Sequence, residues 1–155
     1  RGAWVRKVSI EDLEEVFTVM GALEALSGEL ACKHITDKQL DAIRKKHMEM
    51  VRFYKCRDLS EYFEANQAIH QLILEAAKNS ELTIAHQSLA TRVRRARYLA
   101  NMTEERWKKA VEEHEDILKA LEERNGPELG EILRLHLANK FETVRQWLNS
   151  KQSEA

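Results

Sequence analysis

The stretch Leu59-Ser60-Glu61-Tyr62-Phe63-Glu64-Ala65-Asn66-Gln67-Ala68-Ile69-His70-Gln71-Leu72-Ile73-Leu74-Glu75-Ala76-Ala77 carries a stripe at helical spacing. Leu59, Phe63, Asn66, His70, Ile73 and Ala77 follow one another by 4, 3, 4, 3 and 4 residues, the repeat of one face of an α-helix. Asp58 with Glu61 supplies a start signal, which predicts a helix over about 59–78. The stripe is apolar except at its middle. There Asn66 and His70 sit one turn apart on the face that should be buried.

The same reading extends in both directions. Upstream, Ser9 with Asp12 opens a helix to about His34, with Leu13, Val16, Phe17, Met20, Leu23 and Leu30 toward a core. Thr36 with Gln39 forms a capping box for a second helix, about 37–56, carrying Leu40, Ile43, Met50 and Tyr54. Downstream, Asn79 or Ser80 starts a helix over about 81–100, and Thr103 one over about 104–124. Asn125-Gly126-Pro127 then stops one helix and starts the last, with Gly126 expected in a left-handed position and Pro127 in the first turn. The last helix is expected to run to about Asn149, leaving 150–155 as a tail. Helices of this length joined by short links favour antiparallel neighbours. The fold class expected is all-α, an antiparallel bundle of about six helices.

Composition agrees. With 155 residues the chain is long enough for one domain with a substantial core. Five Gly and one Pro leave little material for the turns of an all-β fold. A formal charge of −1 argues against a dedicated nucleic-acid surface, which needs excess Lys and Arg. No run approaches the ~20 apolar residues of a membrane span. Cys32 and Cys56 are too few for a disulfide framework and suit a reducing cytoplasm. The one segment that does not read as helix is Arg1-Gly2-Ala3-Trp4-Val5, which suits the end of a strand.

Two further helices repeat the anomaly at Asn66 and His70. The fifth carries Trp107, Val111, His114, Leu118 and Leu121, and the sixth Leu129, Ile132 with Leu133, His136, then Val144 and Trp147 beyond a polar gap at Asn139 and Lys140. Three helices thus place a His near the middle of an inward stripe. A buried imidazole without a partner is costly, so these rings need one another, a hydrogen-bond acceptor or a metal. Three neutral imidazoles suit Zn, Ni, Cu or Fe. A single inward His is nevertheless more often a hydrogen-bonded core residue than a ligand, and His47 and His86 also fall near apolar stripes. Spacing leaves these alternatives open.

The motifs in order resemble a known family. Glu11-Asp12-Leu13-Glu14-Glu15-Val16-Phe17 followed by Ala22-Leu23-Glu24 resembles the opening of the FadR-like C-terminal effector domain (FCD) of GntR-family transcriptional regulators. Asn66-Gln67-Ala68-Ile69-His70 is similar to that domain's D-x-x-[FI]-H segment. Glu113-His114-Glu115-Asp116-Ile117-Leu118 is similar to its E-H-x-x-I-L segment, and Leu135-His136-Leu137 to its x-H-L segment. Arg1–Val5 resembles the strand that ends the family's winged-helix DNA-binding domain. The resemblance implies three parts: residues 1–8 as that strand's remnant with a linker, 9–149 as the effector-binding domain, and 150–155 as the tail. It implies a cytoplasmic, homodimeric sensor. A small metabolite, a carboxylate in many members, would bind over a divalent metal, and operator DNA would be met only through an N-terminal domain. The metal positions carried over are Asn66, His70, His114 and His136, with Zn or Ni expected.

Two departures from the family pattern stand out. Asn66 replaces the usual Asp, offering a neutral carbonyl oxygen, which should weaken divalent binding. Met20-Gly21 falls where many relatives carry an Arg that pairs with the ligand's carboxylate, and Met cannot form that ion pair. In Arg92-Val93-Arg94-Arg95-Ala96-Arg97, most of the arginines should be solvated and paired with acidic residues of the fifth helix. Arg97 or Arg94 is the candidate to supply the charge that Met20 lacks. No enzymatic activity is expected. The competing readings are a helical-bundle metalloenzyme using the three-His site, and a metal-free bundle whose histidines bond one another. Against the enzyme, the inward stripes show no Asp or Glu beside the histidines to act as a base, though Glu113 adjoins His114 in sequence.

Overall fold

The computed structural model describes residues 9–100 and 103–153, which form six α-helices and, among the described residues, no strand. Residues 1–8, where the strand was expected, lie outside the described residues. The helices are α1 (Ile10–His34), α2 (Asp37–Lys55), α3 (Leu59–Ala76), α4 (Ser80–Leu99), α5 (Glu104–Glu122) and α6 (Gly126–Ser153). Ser9 and Asp12 cap α1 reciprocally, and Thr36 and Gln39 do the same for α2. Asp58, Asn79 and Thr103 each accept a backbone N–H through the side chain at the start of α3, α4 and α5.

Three of the links share one device. Arg57, Lys78 and Arg124 take left-handed backbone at φ 61°, 54° and 52°, and each precedes the Asp or Asn that caps the next helix. After α2 and α5 the N–H of the capping residue reaches back across the turn, Asp58 to the Phe53 carbonyl and Asn125 to the Ala120 carbonyl, both at 3.0 Å. Gly126 therefore does not play the left-handed part expected of it; Arg124 does. Gly126 is instead a close-approach residue, where a Cβ would lie 3.3 Å from the Glu29 carbonyl oxygen of α1. α6 also runs past Asn149 to Ser153. Nothing in Ser150–Ser153 breaks a helix, and Ser150 and Ser153 donate their hydroxyls to the carbonyls of Trp147 and Asn149.

The strongest pairing joins α1 to α6, which run antiparallel: Gly28 meets Leu129 and Leu133, while Gly21 meets Leu137. The apolar interior falls into two main clusters. One holds Ala31 and Ile35 of α1 with Ile43, Ile69, Val111, Ile117 and Leu133; the other holds Leu13, Phe17 and Met20 of α1 with Val93, Leu137 and Val144. Along α1 the sequence passes from one cluster to the other through Glu24, and along α6 through His136. The polar layer lies at that boundary.

One expected face shifts. Leu23 and Leu30 are only half-buried, whereas Glu24, Ser27 and Gly28 are buried. Leucines at the margin drew the expected stripe to one side of its true centre, which a carboxylate occupies.

Candidate metal centre

α3, α5 and α6 each deliver one imidazole to a common point. His70, His114 and His136 are all buried, and one ligand nitrogen from each lies within 4.8 Å of the others. Nε2 of His70 faces Nε2 of His114 at 3.3 Å. A tetrahedral ion with nitrogen bonds of ~2.0–2.1 Å sets its ligand atoms ~3.4 Å apart, so this edge has the separation such an ion requires. The rings of His70 and His136 are stacked at 5.3 Å, with His114 edge-on to both.

Two carboxylates stand behind these rings. Nδ1 of His136 donates to Glu113 Oε2 at 2.5 Å, which leaves its Nε2, buried and without a protein partner, as a bare lone pair. Nδ1 of His70 lies 3.1 Å from Glu24 Oε2, a charge contact without hydrogen-bond geometry, while its Nε2 faces the His114 ring. A carboxylate behind a ligating imidazole fixes the tautomer and raises its basicity. Glu113 also accepts from Asn139 Nδ2 at 2.8 Å and pairs with the Arg106 guanidinium. Glu24 accepts from His86 Nε2 at 3.0 Å and from Arg97 at 3.4 Å.

Burial holds the rings in their neutral form. Burial, reinforced by His136, His70 and Lys140, holds His114 well below the ordinary histidine value, and burial with Lys140 and His70 does the same to His136. Burial also lowers His70, against the opposing charge of Glu24. All three imidazoles are therefore neutral at neutral pH, the form that ligates. Burial disfavours ionised Glu24, yet His70, His86 and Arg97 outweigh it and hold this carboxyl well below the usual range.

Asn66 is wholly buried one turn before His70; the Tyr62 hydroxyl stands near its amide, but neither Oδ1 nor Nδ2 makes a well-formed hydrogen bond among the described residues. A buried amide left this way costs free energy unless something absent satisfies it. The three imidazoles together are a nitrogen donor set that suits a divalent transition ion.

The remaining candidates fall elsewhere. His34 is exposed and His47 half-buried, both outside the cluster. His86 is buried and joins through Glu24 rather than as a fourth ring. Met20 packs into the apolar cluster with Phe17 and Leu137. Arg97 is buried against Glu24, while Arg94 is exposed and pairs at 2.5 Å with Glu64 of α3, not with the acidic residues of α5. Both line a groove of about 310 Å³ between α3 and α4, whose inner wall includes His70 and His86.

Three groups escaped the sequence reading. The expectation that no carboxylate lies beside the histidines is corrected by Glu24 and Glu113. Glu113 precedes His114 by one residue and reaches across to His136, a contact that spacing within one helix does not reveal. Glu24 follows Met20 by four residues, so the stripe itself pointed to it. Lys140, one turn after His136 on the same face, is wholly buried, and its Nζ has no hydrogen-bond partner. Burial first, then the nearby Arg97, lowers Lys140 to about 7.

Comparison with known proteins places this chain in a family. The FCD domain matches residues 15–139. The HTH-type transcriptional repressor RspR of Escherichia coli K12 is 25% identical over 147 residues, covering 94% of this chain and 64% of RspR. An uncharacterized HTH-type transcriptional regulator, YdfH of Shigella flexneri, matches with the same identity and coverage. The chain thus spans 64% of the length of the curated relatives it matches. Among solved structures, E. coli McbR/YncC shares the fold at a TM-score of 0.82 and 15% identity, over 91% of this chain and 71% of that one. No described helix is long and apolar enough to cross a membrane. From the motifs in order and the match over most of its length, the chain belongs to the FCD domain family, the effector domain of GntR-family transcriptional regulators.

Proposed function

We propose that this domain senses a small carboxylate metabolite over a divalent transition metal, Zn or Ni, held by His70, His114 and His136 with Asn66 as an oxygen donor. What supports this reading is the convergence of three buried, neutral imidazoles, with Glu113 hydrogen-bonded behind His136 and Glu24 beside His70, and buried Asn66 one turn before His70. When bound, the metal supplies a Lewis-acidic position for a ligand's carboxylate oxygen. The groove between α3 and α4 is the approach, and at about 310 Å³ it suits a compact metabolite. Arg97 and Arg94 line it and supply the cationic character that Met20 does not.

In the cell the domain acts as part of a cytoplasmic homodimer whose N-terminal winged-helix domain meets operator DNA. Metabolite binding shifts the dimer between two arrangements, a coupling of ~1–3 kcal/mol in typical cases. The metalloenzyme reading is weaker on chemical grounds. Glu113 is bound by His136, Asn139 and Arg106, and Glu24 by His86 and Arg97, so neither is available as a general base.

Elemental analysis of untagged protein, reconstituted with Zn or Ni, tests the metal. About one ion per chain is expected, and a value well below one refutes it. Thermal shift of the loaded protein against organic and sugar acids tests the ligand, because a molecule that binds only the native state raises the melting temperature. No hit in that panel refutes the sensing of a carboxylate. Turnover of ester, phosphate or amide substrates that vanishes in His114→Ala would establish the enzyme instead.

A further inference from the structure

The layer beside the three imidazoles is unbalanced in charge. Three cationic side chains, Arg97, Arg106 and Lys140, are buried there and share two carboxylates, Glu24 and Glu113. Glu24 accepts from His86 and Arg97 through Oε1, with its Oε2 3.1 Å from His70 Nδ1, and Glu113 is held by His136, Asn139 and Arg106. Lys140 is the cation left over: among the described residues no hydrogen-bond acceptor pairs with its Nζ. Nor does Asn66 contribute negative charge. An unpaired buried ammonium costs several kcal/mol, and an apolar residue of similar length would remove that cost. A lysine at this place is explained by an anion that arrives from outside the chain.

Lys140 lies one turn beyond His136 on α6, and Arg97, whose charge acts on it, also forms part of the wall of the α3–α4 groove. Resting on the metal reading above, we propose that Lys140 is a second anchor beside the three-His centre. It receives an acidic group that the ligand carries in addition to the one directed at the metal, so the effector is a compact dicarboxylate. A monoacid whose only carboxylate serves the metal leaves Lys140 without a partner. A diacid satisfies both.

The test is calorimetric titration of the zinc-loaded chain with succinate against butyrate, and with glutarate against pentanoate, in the parent and in Lys140→Met. In the parent each diacid binds roughly tenfold or more tightly than its matched monoacid, the size of one charge-assisted hydrogen bond. In Lys140→Met the diacids fall to within about twofold of the monoacids, whose affinity is unchanged. Zinc content stays as in the parent. Lys140→Gln, which keeps a donor without the charge, serves if the Met variant does not fold, and the same collapse of preference is expected. A diacid preference that survives either substitution, an equal loss for both acid classes, or zinc-loaded protein that binds neither class overturns the proposal. Zinc uptake without diacid preference overturns this anchor alone. Absence of zinc uptake overturns the metal reading on which it rests.

Discussion

Replacing Glu113 by Gln tests whether the carboxylate behind His136 prepares the centre or only packs against it. Glu113 accepts from His136 Nδ1 at 2.5 Å and from Asn139 Nδ2 at 2.8 Å, and it is the counter-ion of Arg106, whose side chain is 7% exposed. Gln keeps the shape and one acceptor oxygen, but it loses the charge and turns an NH2 toward one of three donors. Removing one partner of a buried ion pair costs ~3–5 kcal/mol. Glu113 itself is 20% exposed, so water recovers part of that, and a loss of ~2–3 kcal/mol in global stability is expected. The second effect falls on the metal. A carboxylate behind a ligating His is typically worth ~10–100-fold in affinity. Competition against a chromophoric zinc chelator measures that ratio, and thermal denaturation of the metal-free protein measures the first. Zinc affinity within about twofold of the parent, alongside lowered stability, refutes the preparatory role and leaves Glu113 as the partner of Arg106 only.

Four other outcomes are expected. Asn66→Asp adds an anionic donor and tightens divalent metal on the order of tenfold; equal or weaker binding shows that Asn66 is not a ligand. His70→Ala abolishes metal binding and lowers the melting temperature when metal is present, and a melting temperature matching the parent's with and without metal shows the centre misplaced. Gly28→Val drives new atoms into Leu133 Cδ1 and Leu129 Cγ, which a Cβ alone would approach to 2.6 and 2.8 Å. It should cost ~1–3 kcal/mol by denaturant unfolding, and a neutral result would show that α1 and α6 separate easily.

The fourth concerns pH. Lys140 is protonated in the unfolded chain up to its ordinary value of 10.5, but its folded value is lowered to about 7. Between those values the unfolded chain binds the extra proton, so the stability of metal-free protein rises with pH from 7 toward 9. The slope is at most about 1.4 kcal/mol per unit. Lys140→Met abolishes that rise, and a parent curve as flat as the variant's contradicts the burial of a lysine there.

Most helix boundaries were legible because capping is local chemistry. Ser9 with Asp12, Thr36 with Gln39, and Asp58 with the Glu61 N–H act within three residues of one another, and the structure contains all three. The left-handed residue before α6 was misplaced for the same reason in reverse. Glycine at 126 was assigned by its backbone freedom, whereas its cause is a Glu29 backbone 97 residues away.

What the sequence determined by itself is the set of rods and the rows on them. Periodicity put His70, His114 and His136 on inward stripes, since a helix fixes which of its own residues share a face. Local order could not decide what those rings meet. Only packing brings Glu24 of α1 beside His70, lets Glu113 pass its neighbour His114 to reach His136, and seals Lys140 in the same buried layer as Arg97, Arg106, Glu24 and Glu113. Burial and charge pairing between helices depend on crossing angles and depth, which are properties of the assembled bundle and are written in no single segment of chain.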